Sequence, residues 1–365
     1  MCIREINRIE ELAPYREAWA GLLGATPRAG FFQSLEWLEA YWRHFGSDQK
    51  LRVLVLEEGG AAAGFLPLVV RQEKTKVGAL RVLTYPLDYW GSFYGPIGQE
   101  PDRVLVAGLE HLNQTGLGAD LFEPRWVGED LEEAEPVLAA AGRSPLRSGQ
   151  DTTALVELNG DWEGYLASKK SKWRANLRRC RRLVEEQGAC EHLRYRPEAG
   201  GDPRWDLYDE CVRLAAASWQ GSSTTGTTLS HEKVAPFLRD VHAAAAQSGC
   251  VDLNLLRVNG HAVAFAYNYV YRGNVFGLRA GYNPECKAAG AGGVLYSMAI
   301  EDSFVRGDWR YDLGPGHMEC KRSWMTHAAP IHRLTCGGGW SLKRQLLRLK
   351  RQWDARASLA AEQSR

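Results

Sequence analysis

Two stretches of the chain hold the residue types best suited to chemistry. The first runs Phe276-Gly277-Leu278-Arg279-Ala280-Gly281-Tyr282-Asn283, then Lys287-Ala288-Ala289-Gly290-Ala291-Gly292-Gly293. A strand leads into a glycine-rich turn, and the turn opens a helical stretch to Val305. Such a turn aims backbone N–H groups and the positive end of a helix at one spot, which suits a phosphate. Glycines at 290, 292 and 293, with the small Ala291, let an anion approach the backbone, and Lys287 adds a charge. The plainer alternative is a loop that uses glycine only to turn. The second stretch is Tyr311-Asp312-Leu313-Gly314-Pro315-Gly316, with His317, Glu319 and Lys321 close behind. Carboxylates, a histidine and a lysine gathered in one short loop suit acid–base work on a bound group. Asp312 and Glu319 suit the base or an acceptor anchor, His317 can share the proton work, and Lys321 suits a developing oxyanion or a phosphate. A structural salt bridge between Asp312 and Lys321 is the competing reading.

A third segment is crowded with cations: Lys169, Lys170, Lys172, Arg174, Arg178, Arg179, Arg181 and Arg182. Leu166, Trp173, Leu177, Cys180 and Val184 recur at helical spacing and form its inward stripe. Two readings are open. One is a solvated face on a domain's first helix. The other is a grip on a phosphorylated partner such as CoA, a sugar nucleotide, a lipid phosphate or tRNA, because like charges this dense repel without a counter-anion.

Other patterns exclude chemistry. His231-Glu232 lacks the second histidine of a metalloprotease helix, and no Gly-x-Ser-x-Gly elbow occurs. His327 and His332 have no carboxylate or cysteine set at ligand spacing, so no metal is expected. The eight cysteines include no pair spaced for a zinc knuckle or a redox couple. Gly337-Gly338-Gly339 reads as a flexible turn, and the segment from Ser341 as a basic amphipathic helix that docks on the second domain or meets a membrane surface or RNA.

The elements that must position these residues fall into two halves. In the first, helices are expected over Ile9–Leu23 and Leu35–Phe45, with Ser34 as an N-cap. Strands follow at Leu51–Leu56, Gly64–Val70 and Leu80–Tyr85, then a helix at Val104–Gln114 and a strand at Asp120–Phe122. A polar linker is expected over Gly142–Asp151. The second half begins with a strand at Thr153–Leu158 and a long helix at Trp162–Gln187, and continues with a helix at Trp205–Trp219. Strands are expected at Val251–Val258, His261–Tyr271 and Val275–Tyr282, then at Trp309–Leu313. Asn259-Gly260 is a strong hairpin signal.

The halves repeat one another. Leu56 to Phe65 lies over Leu256 to Phe265 at a constant offset of 200, with leucine, the second glycine, alanine and phenylalanine coinciding. The chain therefore reads as two domains of one mixed α/β fold, 1–150 and 151–340, with a tail over 341–365. At 45 basic against 44 acidic residues the net charge is +1, which argues against a globally basic DNA binder. The charged start and the shortness of the longest apolar run give no signal peptide or membrane span, so a cytoplasmic protein is expected.

Lys287-x-x-Gly290-x-Gly292 resembles the pyrophosphate loop of GNAT acyltransferases, usually Gln/Arg-x-x-Gly-x-Gly/Ala. The wider chain resembles the CelD/BcsL-type acetyltransferase family, a GNAT branch related to Fem-type peptidyl transferases. Three blocks carry this. They are Phe32-Gln33-Ser34-x-Glu36-Trp37 with Trp42 and Phe45-Gly46, the basic helix, and Tyr311-Asp312-Leu313-Gly314-x-Gly316 with Glu319-Cys320-Lys321 and Trp324. Cys320 stands where relatives carry tyrosine. The resemblance implies two tandem GNAT-like domains with the donor site in the second alone. It implies acetyl-CoA as co-substrate, held by Lys287, Gly290, Ala291, Gly292 and Gly293. It also implies an amine acceptor on a sugar, peptide or polysaccharide precursor, with Arg174, Arg178 and Trp324 in substrate binding. Two alternatives stand beside it: a Fem-type transferase using aminoacyl-tRNA, and an inactive scaffold or RNA-binding protein of the same fold, with membrane or tRNA contact through the basic helices.

Overall fold

The computed structural model describes residues 2–75, 78–88, 90–128, 131–143, 145–223, 228–285, 290–337 and 349. The chain divides into two compact units: Met1–Asp88, Ser92–Thr152 and the chain from Ala329 form unit 1, and Tyr89–Gly91 with Thr153–Ala328 form unit 2. Unit 1 contains β1 (Cys2–Ile6), α1 (Arg16–Ala25), α2 (Leu35–Phe45), β2 (Lys50–Glu58), β3 (Ala61–Thr75), β4 (Gly78–Thr84), α3 (Pro101–Thr115), β5 (Leu121–Phe122) and α4 (Leu131–Ala140). β6 (Leu146–Glu157) passes from unit 1 into unit 2. Unit 2 continues with α5 (Trp162–Ala167), α6 (Ser171–Glu185), β7 (Cys190–Tyr195), α7 (Trp205–Ala217), α8 (Ala235–Gln247), β8 (Val251–Val258) and β9 (His261–Tyr271). It ends with β10 (Asn274–Tyr282), α9 (Ala291–Arg306), β11 (Arg310–Pro315) and α10 (Met318–Lys321), after which β12 (His327–Gly337) returns to unit 1.

The strand order is β1-β2-β3-β4-β5-β12 in unit 1 and β7-β8-β9-β10-β11-β6 in unit 2. Neighbours are antiparallel except β4–β5 and β10–β11, which are parallel and joined through α3 and α9. The repeat extends to register. Leu56 pairs with Gly64 and Leu256 with Ala264, and both hairpins carry a bulge at the next position, Leu56/Glu57 and Leu256/Arg257. Their turns, Gly59-Gly60 and Asn259-Gly260, hold positive φ at both central residues, the geometry that matches strand twist in a two-residue hairpin. Two tandem copies of one mixed α/β fold are thus present.

Local chemistry explains the elements. Ser34 caps α2 by accepting the Trp37 N–H at 3.1 Å, and Trp37, Leu38 and Tyr41 bury its apolar face. The expected helix over Ile9–Leu23 is a 3-10 stretch at Ile9–Tyr15 followed by α1, with Pro14 near the end of the 3-10 stretch. The long helix expected over Trp162–Gln187 is broken into α5 and α6. Lys170 is extended at the break, and the Lys169 ammonium is drawn to the carbonyls of Trp324 and Met325, both at 2.8 Å. The expected linker Gly142–Asp151 instead feeds β6, whose residues alternate in burial from Leu146 onward. The second domain, expected over 151–340, ends at Ala328, because β12 pairs with β5 through Cys336 and Phe122. The expected tail over 341–365 lies outside the described residues apart from Leu349. Sequence reading passed over β1, β7, α4, α8 and β12.

In unit 2, α9 packs Ala299 and Ile300 against Val156, Val275 and Tyr311, while Ala291, Val294 and Leu295 meet Cys180, Val184 and Ala264. Both ends of α9 are thereby fixed, and its N-terminus is held at the carboxyl end of β10.

Candidate functional site

Parallel strands joined by a helix leave a crevice at their carboxyl ends where they part. β10 and β11 pair only over Asn274–Phe276 and Arg310–Asp312, then separate. At the parting point the backbones meet directly. A Cβ on Gly277 would lie 2.7 Å from the Asp312 carbonyl oxygen, and one on Gly314 would lie 2.6 Å from the Gly277 carbonyl oxygen. A side chain at either place would wedge the strands apart. Just beyond, β10 bulges between Gly277 and Arg279. The ladder with β11 has already ended there, so among the described residues this edge of β10 has no strand beside it.

The start of α9 lies at the mouth of this crevice. Gly290 is left-handed at φ 101, and a Cβ on it would lie 2.7 Å from Sγ of Cys180 on α6. Glycine is required at 290 for both reasons. Gly292 and Gly293 differ: their first neighbours are Tyr282 at 3.5 Å and Trp324 at 3.8 Å, so the fold does not itself demand glycine there. Among the described residues no side chain at 292 or 293 covers the first-turn N–H groups, and the helix supplies no carbonyl to those groups. No acidic residue sits in that turn. Ala291 is buried against α6 and anchors the turn. Tyr282, 51% exposed, closes one side. Neither it nor the Gly277–Gly314 contact was read from sequence, although both glycines are visible as breaks in apolar strands. Lys287 lies outside the described residues.

The Asp312 block behaves differently from expectation. Asp312, a candidate base or acceptor anchor by sequence, is only 1% exposed, so its carboxylate is closed to a substrate. It accepts hydrogen bonds from the Thr153 hydroxyl on β6 and from the Gly314 N–H at 2.8 Å. The Lys321 ammonium donates to the carbonyls of Gly314 at 2.8 Å and Pro315 at 3.1 Å. The two residues therefore hold Gly314 from its two sides, by its N–H and its carbonyl. Gly314, Gly316 and His317 all have positive φ, so the turn they form needs such holding. His317 and Glu319 are exposed beyond it, with the His317 ring 5.4 Å from that of Trp219, itself 50% exposed. Cys320 donates to the His317 carbonyl at 3.0 Å.

Trp324, expected in substrate binding, is 6% exposed and belongs to the core, where it meets Trp173 edge to face at 4.8 Å. It shapes the site from beneath Gly293. Arg174 and Arg178 lie one turn apart on the outer face of α6, and with Lys170 and Lys172 they have no carboxylate partner among the described residues. Farther along, Arg181 and Arg182 pair with Glu185 and Glu186. Among the described residues no group of His, Cys, Asp and Glu is arranged to hold a metal, and no helix is long and apolar enough to cross a membrane.

Residues 171–322 match the family model described as an acetyltransferase (GNAT) domain. No curated protein sequence matches the chain. A crystal structure of FemX covers 95% of this chain and 100% of its own at 11% identity, with a TM-score of 0.63. The C-terminal domain of a putative lysylphosphatidylglycerol synthetase from Agrobacterium fabrum covers 93% of this chain and 96% of its own at 14% identity, TM-score 0.56. A conserved protein of unknown function from Bacteroides thetaiotaomicron covers 89% and 97% at 14% identity, TM-score 0.55. Residues 171–322 thus carry a GNAT-type acetyltransferase domain, and the chain as a whole shares the fold of FemX.

Proposed function

We propose that unit 2 transfers an acyl group from acyl-CoA, with acetyl-CoA the simplest donor, to an amine on a sugar or cell-envelope precursor. The observation that carries this reading is the bare first turn of α9 at the mouth of the crevice between β10 and β11. The helix start suits a pyrophosphate, because its first-turn N–H groups and dipole both favour an anion and its first turn holds no acidic residue. The crevice suits an extended amide chain, which can pair with the free edge of β10 as a strand would. The thioester carbonyl oxygen then faces backbone donors near the bulge at Leu278, which stabilise the oxyanion of the tetrahedral intermediate.

In the reaction the acceptor nitrogen bonds to the thioester carbon, the C–S bond breaks, and the thiolate takes up a proton. The proton on the attacking nitrogen passes to His317 or Glu319, directly or through water, because these are the exposed groups at the end of β11. Asp312 and Lys321 act as positioning residues. They fix the turn that carries His317 and set where β11 leaves β10. The test is single-turnover acetyl transfer to a panel of amino sugars and peptidyl amines. His317→Gln and Glu319→Gln are expected to lower turnover by about 10²-fold or more between them, at unchanged CoA affinity. Unchanged turnover in both would remove these groups from the proton path.

A second reading takes the donor from aminoacyl-tRNA and rests on the unpaired cations of α6. Filter binding with tRNA beside calorimetry with CoA separates the two. Binding of tRNA that is lost when Arg174 and Arg178 become Ala, without any CoA binding, would favour it.

A further inference from the structure

The turn that follows α7 holds an indole in solvent. α7 ends at Ala217, and Trp219–Ser222 forms a separate 3-10 turn. Several contacts fix that turn. The Ser218 hydroxyl donates to the Ala215 carbonyl at 2.8 Å and accepts the Gln220 N–H at 3.2 Å. The Gln220 side chain, 1% exposed, donates to the Ala280 carbonyl on β10 at 3.2 Å and accepts the Leu229 N–H at 3.4 Å. Gly281 lets the turn approach the strand, since a Cβ there would lie 2.8 Å from the Phe265 ring and 3.1 Å from the Ser218 hydroxyl. Yet Trp219, the first residue of this packed turn, is half exposed. The anchoring fixes the indole without burying it.

The turn borders the crevice. Along β10, Ala280 packs with the α9 cluster and Tyr282 lies beside Gly292, so strand alternation turns Gly281 to the opposite face. Trp219 therefore stands on the side of the sheet away from the start of α9. Its ring lies 5.4 Å from the His317 ring, tilted by 56°, just past the end of β11. A donor resting on the start of α9 enters the crevice from one face. The other face, with Trp219 and His317, is left to the acceptor.

These rings offer a flat apolar surface with polar groups at its border. His317 and Glu319 are exposed, and so is Ser222, whose hydroxyl donates to the Trp219 carbonyl at 3.1 Å. A peptide needs a groove or a free strand edge, and the edge of β10 goes to the donor. A pyranose needs less. One face of a β-glucosaminide ring carries only C–H groups, while its hydroxyls and amine lie around the rim. Such a ring can lie on an indole and keep its polar rim in contact with histidine, carboxylate and serine.

We infer that Trp219 is the acceptor-recognition residue of the proposed transferase and that the acceptor is an amino sugar, whose pyranose ring stacks on the indole and presents its amine toward His317. This rests on the acyl-transfer reading and narrows its acceptor to a sugar ring.

Saturation-transfer NMR with methyl β-glucosaminide tests this on the full chain. Saturable transfer is expected, strongest to the axial hydrogens of one ring face. Trp219→Ala is expected to weaken binding about tenfold, the size of one good ring contact, and Trp219→Phe to restore most of it. Trp219→Leu keeps apolar bulk on the turn, should alanine not be tolerated, and is expected to bind as weakly as alanine; thermal melts confirm folding. No saturable transfer with wild-type protein, undiminished binding in Trp219→Ala and Trp219→Leu, or tighter binding of tyramine than of the glucosaminide would overturn the assignment. Acetyl transfer to open-chain amines without sugar binding would also overturn it and leave the acyl-transfer reading standing. Sugar binding as expected, without acetyl transfer to any amine, would count against that reading alone.

Discussion

Two glycines two residues apart separate structure from function at the level of single residues. Gly290 has a positive φ and rests on Cys180, whereas Gly292 has room for a side chain. Gly290→Val is therefore expected to lower the melting temperature sharply. Gly292→Val should melt near wild type and bind CoA at least tenfold more weakly, as read by calorimetry. Equal melting temperatures for the two variants would contradict this distinction. The glycine turn was legible in sequence because a strand precedes it and a helix follows. The division of labour among its glycines was not, since it depends on Cys180, more than a hundred residues earlier. Asp312 and Lys321 were legible as a pair but not in their roles. Sequence shows their types and spacing, but not that Thr153 arrives from β6 to occupy the carboxylate. Lys321→Ala leaves two carbonyls without their donor and is expected to cost about 1–3 kcal/mol. Denaturant titration checks this, and an unchanged midpoint would show that the turn holds itself.

The elements show where pattern reading succeeds and where tertiary contacts override it. β8 and β9 stand at the expected bounds because Asn259-Gly260 fixes their turn and register. The helix across 162–187 was read as continuous because its apolar stripe is continuous. Its break follows from Lys169 reaching the Trp324 and Met325 carbonyls, a contact no local pattern encodes. α8 was passed over, yet it carries a titrating group of consequence. His242 lies tilted against the Tyr208 ring at 4.5 Å, meets the Tyr267 hydroxyl at 2.9 Å and bonds the Pro203 carbonyl at 2.6 Å. Burial pulls its pKa down to about 4, with the Arg239 charge adding to the effect. The unfolded chain thus takes up a proton near pH 6.5 that the folded protein refuses until about pH 4, so stability falls as pH drops through that window. Urea midpoints measured between pH 7 and pH 5 should decline, and His242→Phe should flatten the decline while lowering the midpoint at pH 7. A wild-type slope that persists unchanged in His242→Phe would assign the titration elsewhere.

At the scale of the whole molecule, the duplication was legible from one ungapped repeat and extends to register, bulge and turn type. The return of β12 to unit 1 was not legible, because its partner β5 is two residues long and gives almost no sequence signal. Duplication makes the difference between the units informative. α9 opens with Ala291-Gly292-Gly293 and α3 with Pro101-Asp102, so one helix start favours a pyrophosphate and the other opposes it. The proposed function then predicts one donor per chain. The most direct measurement is calorimetric titration of the intact protein with CoA, alongside Gly292→Val. The account predicts a single site per chain that disappears in the folded variant. Two sites per chain, or undiminished binding in Gly292→Val, would contradict it.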